Sequence, residues 1–186
     1  MSILNYSQPD FYKFNTDSLE LAKFSSQWMK GRKDLKVLDL CSGCGVIGIE
    51  FFKKHQSVKE MHFIEKQLDF HSHLKKNIEN ISCVSQIFIQ DYKDHDRLEK
   101  YDLILINPPY FINGKGRTSP DERRQVCRSF GEGELESLIE FSKSVLNFKG
   151  EIHIVHRDDI SLKLDSFKLV EKLNAANLFR FILNED

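Results

Sequence analysis

The sequence predicts an α/β fold: a mostly parallel seven-stranded sheet with helices on both faces, closed by a C-terminal antiparallel hairpin. Three observations predict it. Short β-rich runs alternate with helical stretches along most of the chain, the pattern of strands joined by crossover helices. The last two β-rich runs are separated by too few residues to hold a crossover, so they must pair antiparallel. Finally, 186 residues with 40% hydrophobic and 30% charged side chains suit one soluble domain with a core of its own.

The elements follow in order. Residues 36–41 (KVLDLC) read as a strand, and a Gly-rich turn leads to a helix over 46–55 (VIGIEFFKKH). A second strand covers 60–65 (EMHFIE), followed by a helix over 67–81 (QLDFHSHLKKNIENI). The third strand is 84–91 (VSQIFIQD) and the fourth 101–107 (YDLILIN). In 134–146 (ELESLIEFSKSVL) the apolar residues fall at helical spacing. The fifth strand is 150–157 (GEIHIVHR), and 166–173 (SFKLVEKL) and 177–185 (NLFRFILNE) form the hairpin. The helix expected before the hairpin is compressed into ISLKLD. No linker, repeat or low-complexity segment divides residues 1–186, so a single domain is expected, with 36–160 as its core.

A net charge of -1 gives no global footprint for nucleic acid, so any such binding must use a local patch. The longest apolar runs are strand-length, far short of a membrane span. The N-terminus lacks the layout of a signal peptide, so the expectation is a cytoplasmic protein with four reduced cysteines.

In open parallel sheets, ligands bind at the carboxyl ends of the strands. Those ends carry Asp39 with its loop, Glu65, Asp91 and Asn107. The loop DLCSGCGVIG sets Cys41, Gly43, Gly45 and Gly48 in the register of a nucleotide-type turn, with cysteine where a first glycine would stand. Cys41 and Cys44 also make a C-x-x-C. Zinc would want a second pair, however, and Cys83 and Cys127 stand alone and far apart. Small residues lining a loop is the better account. A carboxylate at Glu65 can accept both hydroxyls of a ribose, and one at Asp91 can accept from an adenine amino group.

The fourth strand ends in Asn107, Pro108, Pro109, Tyr110. Asn107 offers a side-chain oxygen and Pro108 a carbonyl, two acceptors suited to the two hydrogens of a planar –NH2 group. Pro109 helps hold that pair rigid. Tyr110 offers an aromatic face for a flat base. Accepting both hydrogens favours a pyramidal nitrogen and aims its lone pair at an electrophile, so positioning and electrostatics carry the rate.

Together, VLDLCSGCGVIGIE, Glu65, Asp91 and NPPY resemble the Rossmann-like class I S-adenosylmethionine-dependent methyltransferases of the amino group of adenine, cytosine or glutamine. FYKFNTDSLELAKF (11–24) and NPPYFINGKGRTSPDERRQVCR (107–128), with Ser119, Pro120 and Arg124, are most similar to the bacterial tRNA(Val) adenine-N6 methyltransferases. The resemblance implies S-adenosylmethionine as cofactor, with Gly43 and Gly45 lining its methionine moiety and Asp39 ordering the loop. It implies that Cys41 replaces the usual first glycine, that Glu65 holds the ribose and that Asp91 contacts the adenine. Thr16 and Asp17 match the segment (10–30) that covers the methionine end. Asn107 and Pro108 would hold the target amine, with Tyr110 on the base. Lys115, Arg117, Arg123, Arg124 and Arg128 form a net positive loop beside NPPY where RNA phosphates would pass. A second basic cluster, Lys30, Arg32, Lys33 and Lys36, precedes the first strand and belongs to the opposite edge.

The expected function is adenine-N6 methylation of a tRNA by a monomer, without membrane or metal. The alternatives are a protein glutamine-N5 methyltransferase of a release factor, which shares NPPY but usually adds an N-terminal helical domain, a DNA adenine or cytosine methyltransferase, and a non-catalytic cofactor-binding partner subunit.

Overall fold

The computed structural model describes residues 5–112, 119–162, 164 and 166–184. In chain order the elements are α1 (Thr16–Trp28), β1 (Leu35–Leu40), α2 (Val46–Lys54), β2 (Val58–Glu65), α3 (His71–Ile78), β3 (Val84–Ile89) and β4 (Tyr101–Ile106). There follow β5 (Phe111–Ile112), α4 (Glu122–Val126), β6 (Ser129–Phe130), α5 (Glu134–Ser144), β7 (Leu146–His156), β8 (Lys168–Lys172) and β9 (Asn177–Ile182). Seven strands form one sheet in the order β3-β2-β1-β4-β7-β9-β8, and β5 and β6 form a separate two-stranded ladder. Pairs β1–β2, β1–β4, β2–β3 and β4–β7 are parallel, whereas β9 runs antiparallel to both β7 and β8. This is the α/β sheet with a terminal hairpin that the alternation predicts.

The central strands are apolar on both faces because both faces are covered. Along β4, Leu103 and Leu105 face a core shared with α1, α2 and α3, while Ile104 and Ile106 face one shared with α5. The run LILI is therefore continuous instead of alternating with polar residues. All four are fully buried, each contributing about 1.5–3 kcal/mol of transfer free energy. In β1, Val37 joins the first core and Leu38 and Leu40 the second. That alternation turns Asp39 toward α2.

Several boundaries differ from expectation. The helix over 67–81 opens with a 3-10 turn at Leu68–Phe70, and regular α-helix ends at Ile78. Strand β7 begins at Leu146, with its register against β4 jumping from Leu146 to Glu151. Helix α1 is an element in its own right: Asn15 caps it by accepting the Ser18 N–H. The compressed helix before the hairpin is a 3-10 turn at Ile160–Leu162. Among the described residues no helix is long and apolar enough to cross a membrane.

The order of strands reverses between β1 and β4, so the loops after these two strands diverge and open a crevice at their carboxyl ends. The second basic cluster lies at the other edge, where Lys36 pairs with Glu60 and Glu99, and Arg32 donates to the Lys149 carbonyl.

Candidate active site

The loop from β1 to α2 makes three left-handed turns in five residues: Cys41 (φ 60), Gly43 (φ 53) and Gly45 (φ 77). For cysteine that conformation costs about 1–2 kcal/mol, so the place where a glycine is usual is geometrically a glycine place. Gly43 lies against Phe70 and Tyr12 and lines the crevice. Gly45 does not: a Cβ there would stand 2.5 Å from Leu74 Cδ1 and 3.3 Å from Phe63. Its hydrogen atom is what lets α3 approach the loop. Asp39 lies beneath, fully buried, and its Oδ2 accepts the Gly48 N–H at 2.9 Å. Its Oδ1 and the Ser42 hydroxyl are buried without a partner among the described residues. Burial pushes the Asp39 carboxyl up to about 8, with Glu65 adding to the rise and the Gly48 N–H opposing it.

Glu65, at the end of β2, is buried and accepts the N–H of Gly43 and of Gln67, both at 2.8 Å. Burial raises its pKa above the ordinary range, against the opposing backbone N–H groups. Each oxygen keeps lone-pair capacity for a further donor. Asp91 lies two residues beyond β3, where it accepts the Lys93 N–H and pairs with Lys66 at 2.9 Å. Burial pushes its carboxyl up, but the Lys66 ammonium and the Lys93 contacts outweigh that and hold it below the usual range. Both acids line one cleft together with Gly43 and Asn107, with Ile64, Phe70 and Phe130 among its apolar walls. Apolar walls for a flat base, with two carboxylates among the lining groups, fit an adenosine-type cofactor.

Burial pushes the Cys44 thiol up to about 12 and Cys127 to about 11, and Cys41 is raised as well. Among the described residues, no three His, Cys, Asp or Glu side chains are grouped as a metal site requires.

Asn107 follows β4 directly. Its Nδ2 donates to Ser18 Oγ at 3.0 Å, and its Oδ1 accepts the Tyr110 hydroxyl at 2.7 Å. That hydroxyl also lies 3.3 Å from Asp17 Oδ2. One face of the Tyr110 ring is covered by the Arg157 guanidinium, 5.3 Å from its centroid, and the ring meets His156 edge-on. Pro108 is buried and lines a second cleft, which also takes in Asn107, Tyr110, Phe111, Arg124 and Arg128. Pro109 lines the first cleft. Asn107 lines both.

The basic loop divides. Arg124 and Arg128 line the second cleft. Arg123 is engaged elsewhere, paired with Asp121 at 3.0 Å and Asp69 at 3.5 Å and lying over the Phe11 ring. Lys115 and Arg117 lie outside the described residues. In the N-terminal segment, Thr16 is exposed and lines neither cleft, whereas Asp17 is buried behind Tyr110.

Three contributors lie outside the residues singled out from the sequence. Tyr12 lines both clefts. Ser18 fixes the Asn107 amide, and the capping pattern of Asn15 ahead of Leu19, Leu21 and Ala22 could have placed it on a helix start. Arg157 directly follows β7, and the rule that parallel strands end at one edge could have found it.

The family model described as Methyltransferase small domain matches residues 21–182. A relative from Tolumonas auensis named tRNA1(Val) (adenine(37)-N6)-methyltransferase is 28% identical over 145 residues, 77% of this chain and 58% of the relative. One of the same name from Actinobacillus pleuropneumoniae serotype 7 is 26% identical over 169 residues, 90% of this chain and 66% of the relative. The chain thus spans less than two thirds of the length of these relatives. Among solved structures, an RNA methyltransferase from Salinibacter ruber in complex with S-adenosyl-L-homocysteine superposes with a TM-score of 0.64 at 12% identity, covering 94% of this chain and 95% of that one. Ribosomal protein L11 methylase from Lactobacillus delbrueckii subsp. bulgaricus gives 0.62 at 17%, covering 91% and 79%. These two likenesses establish the fold.

Proposed function

This chain belongs to the methyltransferase small domain family, and we propose that it methylates an exocyclic amine using S-adenosylmethionine, specifically adenine N6 in a transfer RNA. The observation that carries the reading is that Asn107, the residue directly after β4, lines both clefts where they meet, beside Tyr12 and Cys127. Group transfer between two ligands needs a point where both are within reach, and a strand-end amide is suited to an amine.

The cofactor, when bound, supplies a methyl group made electrophilic by the sulfonium it is attached to. The chain's residues do the rest. Glu65 would take the ribose hydroxyls, Asp91 the adenine amino group, and Gly43 would leave room for the methionine portion. Asn107 Oδ1 and the Pro108 carbonyl accept the two hydrogens of the target –NH2, localising its lone pair and aiming it along the line of transfer. For Asn107 to do this, the Tyr110 hydroxyl that it now accepts gives way, and Asp17, 3.3 Å from that hydroxyl, is there to accept it. Ser18 keeps the amide from turning. Held in this way, the target nitrogen would present its lone pair to the methyl group that the cofactor supplies, and the proton it sheds would leave for solvent.

The choice of tRNA adenine over protein glutamine is favoured by the arginines on the second cleft and by the names of the two relatives. Incubating the protein with methyl-labelled S-adenosylmethionine and, in parallel, total tRNA, DNA and release factor tests it. Label recovered as N6-methyladenosine from tRNA is the expected result. Label in glutamine overturns the substrate, and cofactor binding without label in any pool overturns the catalytic reading.

A further inference from the structure

The second cleft holds a feature that methyl transfer itself does not use. Phe111 is 36% exposed, a large apolar ring left at the surface beside the reacting centre. Two guanidiniums lie over it, Arg128 at 5.4 Å and Arg157 at 5.3 Å from its centroid. Arg157 spans the Tyr110 ring as well. Among the described residues, neither arginine has a carboxylate within ion-pair distance, in contrast to Arg123 with its two. The three residues come from separate parts of the chain, and the fold sets their backbones side by side. The Phe111 N–H donates to the Arg128 carbonyl at 2.9 Å, β5 pairs with β6 at Phe111↔Ser129, and Arg157 follows the last residue of β7.

An exposed ring flanked by two cations without counter-charges suits a ligand that is flat in one part and doubly anionic around it. A nucleotide within a strand is such a ligand: the base presents a π-face, and phosphates stand on either side of its sugar. We propose that Phe111, Arg128 and Arg157 form the seat for the nucleotide adjoining the target adenine in a single-stranded RNA loop. Its base stacks on Phe111, and the guanidiniums take the flanking phosphates. On entry Arg157 moves off the rings and onto the phosphate, which uncovers the Tyr110 face for the target base. An adenine in a paired stem cannot use this seat, because its neighbour remains stacked in the helix. The seat rests on the RNA reading given above and selects single-stranded loops within it.

The test is fluorescence anisotropy with a labelled RNA hairpin carrying an unpaired loop adenine, across ~50–250 mM salt, together with methylation of the same hairpin. Arg157→Ala should lower the slope of log K against log salt by about 0.7, the contribution of one single-strand phosphate, and Arg157→Lys should restore it. Phe111→Ala should weaken binding roughly 5- to 150-fold at an unchanged slope, the range for one stacked base, and Phe111→Trp should recover it. Cofactor affinity should stay at the wild-type value in all four variants, which rules out misfolding. Wild-type slope in Arg157→Ala together with wild-type affinity in Phe111→Ala, in a protein that still methylates the hairpin, overturns the seat alone. A wild-type protein that neither binds nor methylates RNA overturns the functional reading, and the seat with it.

Discussion

Gly45→Ala asks whether the glycine-rich loop is shaped by its ligand or by packing. Gly45 sits at φ 77, and an added Cβ would stand 2.5 Å from Leu74 Cδ1. Leu74 is fully buried and cannot swing into solvent. The left-handed backbone contributes about 1–2 kcal/mol of strain, and forcing a methyl into a filled core about 1–3 kcal/mol more. The expected loss is therefore roughly 2–5 kcal/mol. Gly133 supplies the control, because it too has φ 77 but nothing within 4 Å of its would-be Cβ. Gly133→Ala should lose only the backbone part, about 1–2 kcal/mol. Urea unfolding of both variants, analysed with a common m-value, measures the difference. Equal losses would refute the close approach of α3 to the loop. Because Phe70 immediately precedes α3 and lines the first cleft, Gly45→Ala should also weaken cofactor binding.

Two further predictions concern the buried acids. Glu65→Gln keeps one acceptor but turns an –NH2 toward the N–H of Gly43 or Gln67, so calorimetry should find S-adenosylhomocysteine bound about 10-fold more weakly or worse; an unchanged Kd would remove Glu65 from the cofactor site. Asp39 has a folded pKa of about 8, above the ordinary carboxylate value of 3.8. A raised acid contributes most to stability while protonated, below its unfolded pKa, and that contribution is lost as pH climbs through the folded value. Stability should therefore decline between about pH 4 and 8, and Asp39→Asn should make the slope of Tm against pH shallower, whatever its absolute Tm. Identical slopes would contradict the buried, weakly acidic Asp39.

What could be read from the sequence was whatever short-range periodicity or chain order controls. The run LILI names a strand buried on both faces, and the short gap before Asn177 forces the hairpin. The strand-end rule places Glu65 and Asn107 at one crevice because parallel strands end together. Residues whose role depends on a distant partner were not legible in this way. Gly45 reads like Gly43, and only the position of Leu74 separates a packing glycine from one that lines the cleft. Arg123 reads like Arg124, yet Asp69, far along the chain, neutralises one and not the other. Ser18 was hidden inside a segment that resembles a cofactor cover, although its capping residue Asn15 marks a helix start. Arg157 joins Phe111 only once β7 is set beside β4.

The central claim is that Asn107 grips the amine that receives the methyl group. Asn107→Ala, assayed by single-turnover transfer of labelled methyl to tRNA and by S-adenosylhomocysteine calorimetry, tests it most directly. Transfer should fall about 100-fold or more, as when one oriented electrostatic contact is removed from a reacting centre, while cofactor Kd stays within about twofold of wild type. A variant that transfers methyl groups at the wild-type rate would contradict the account.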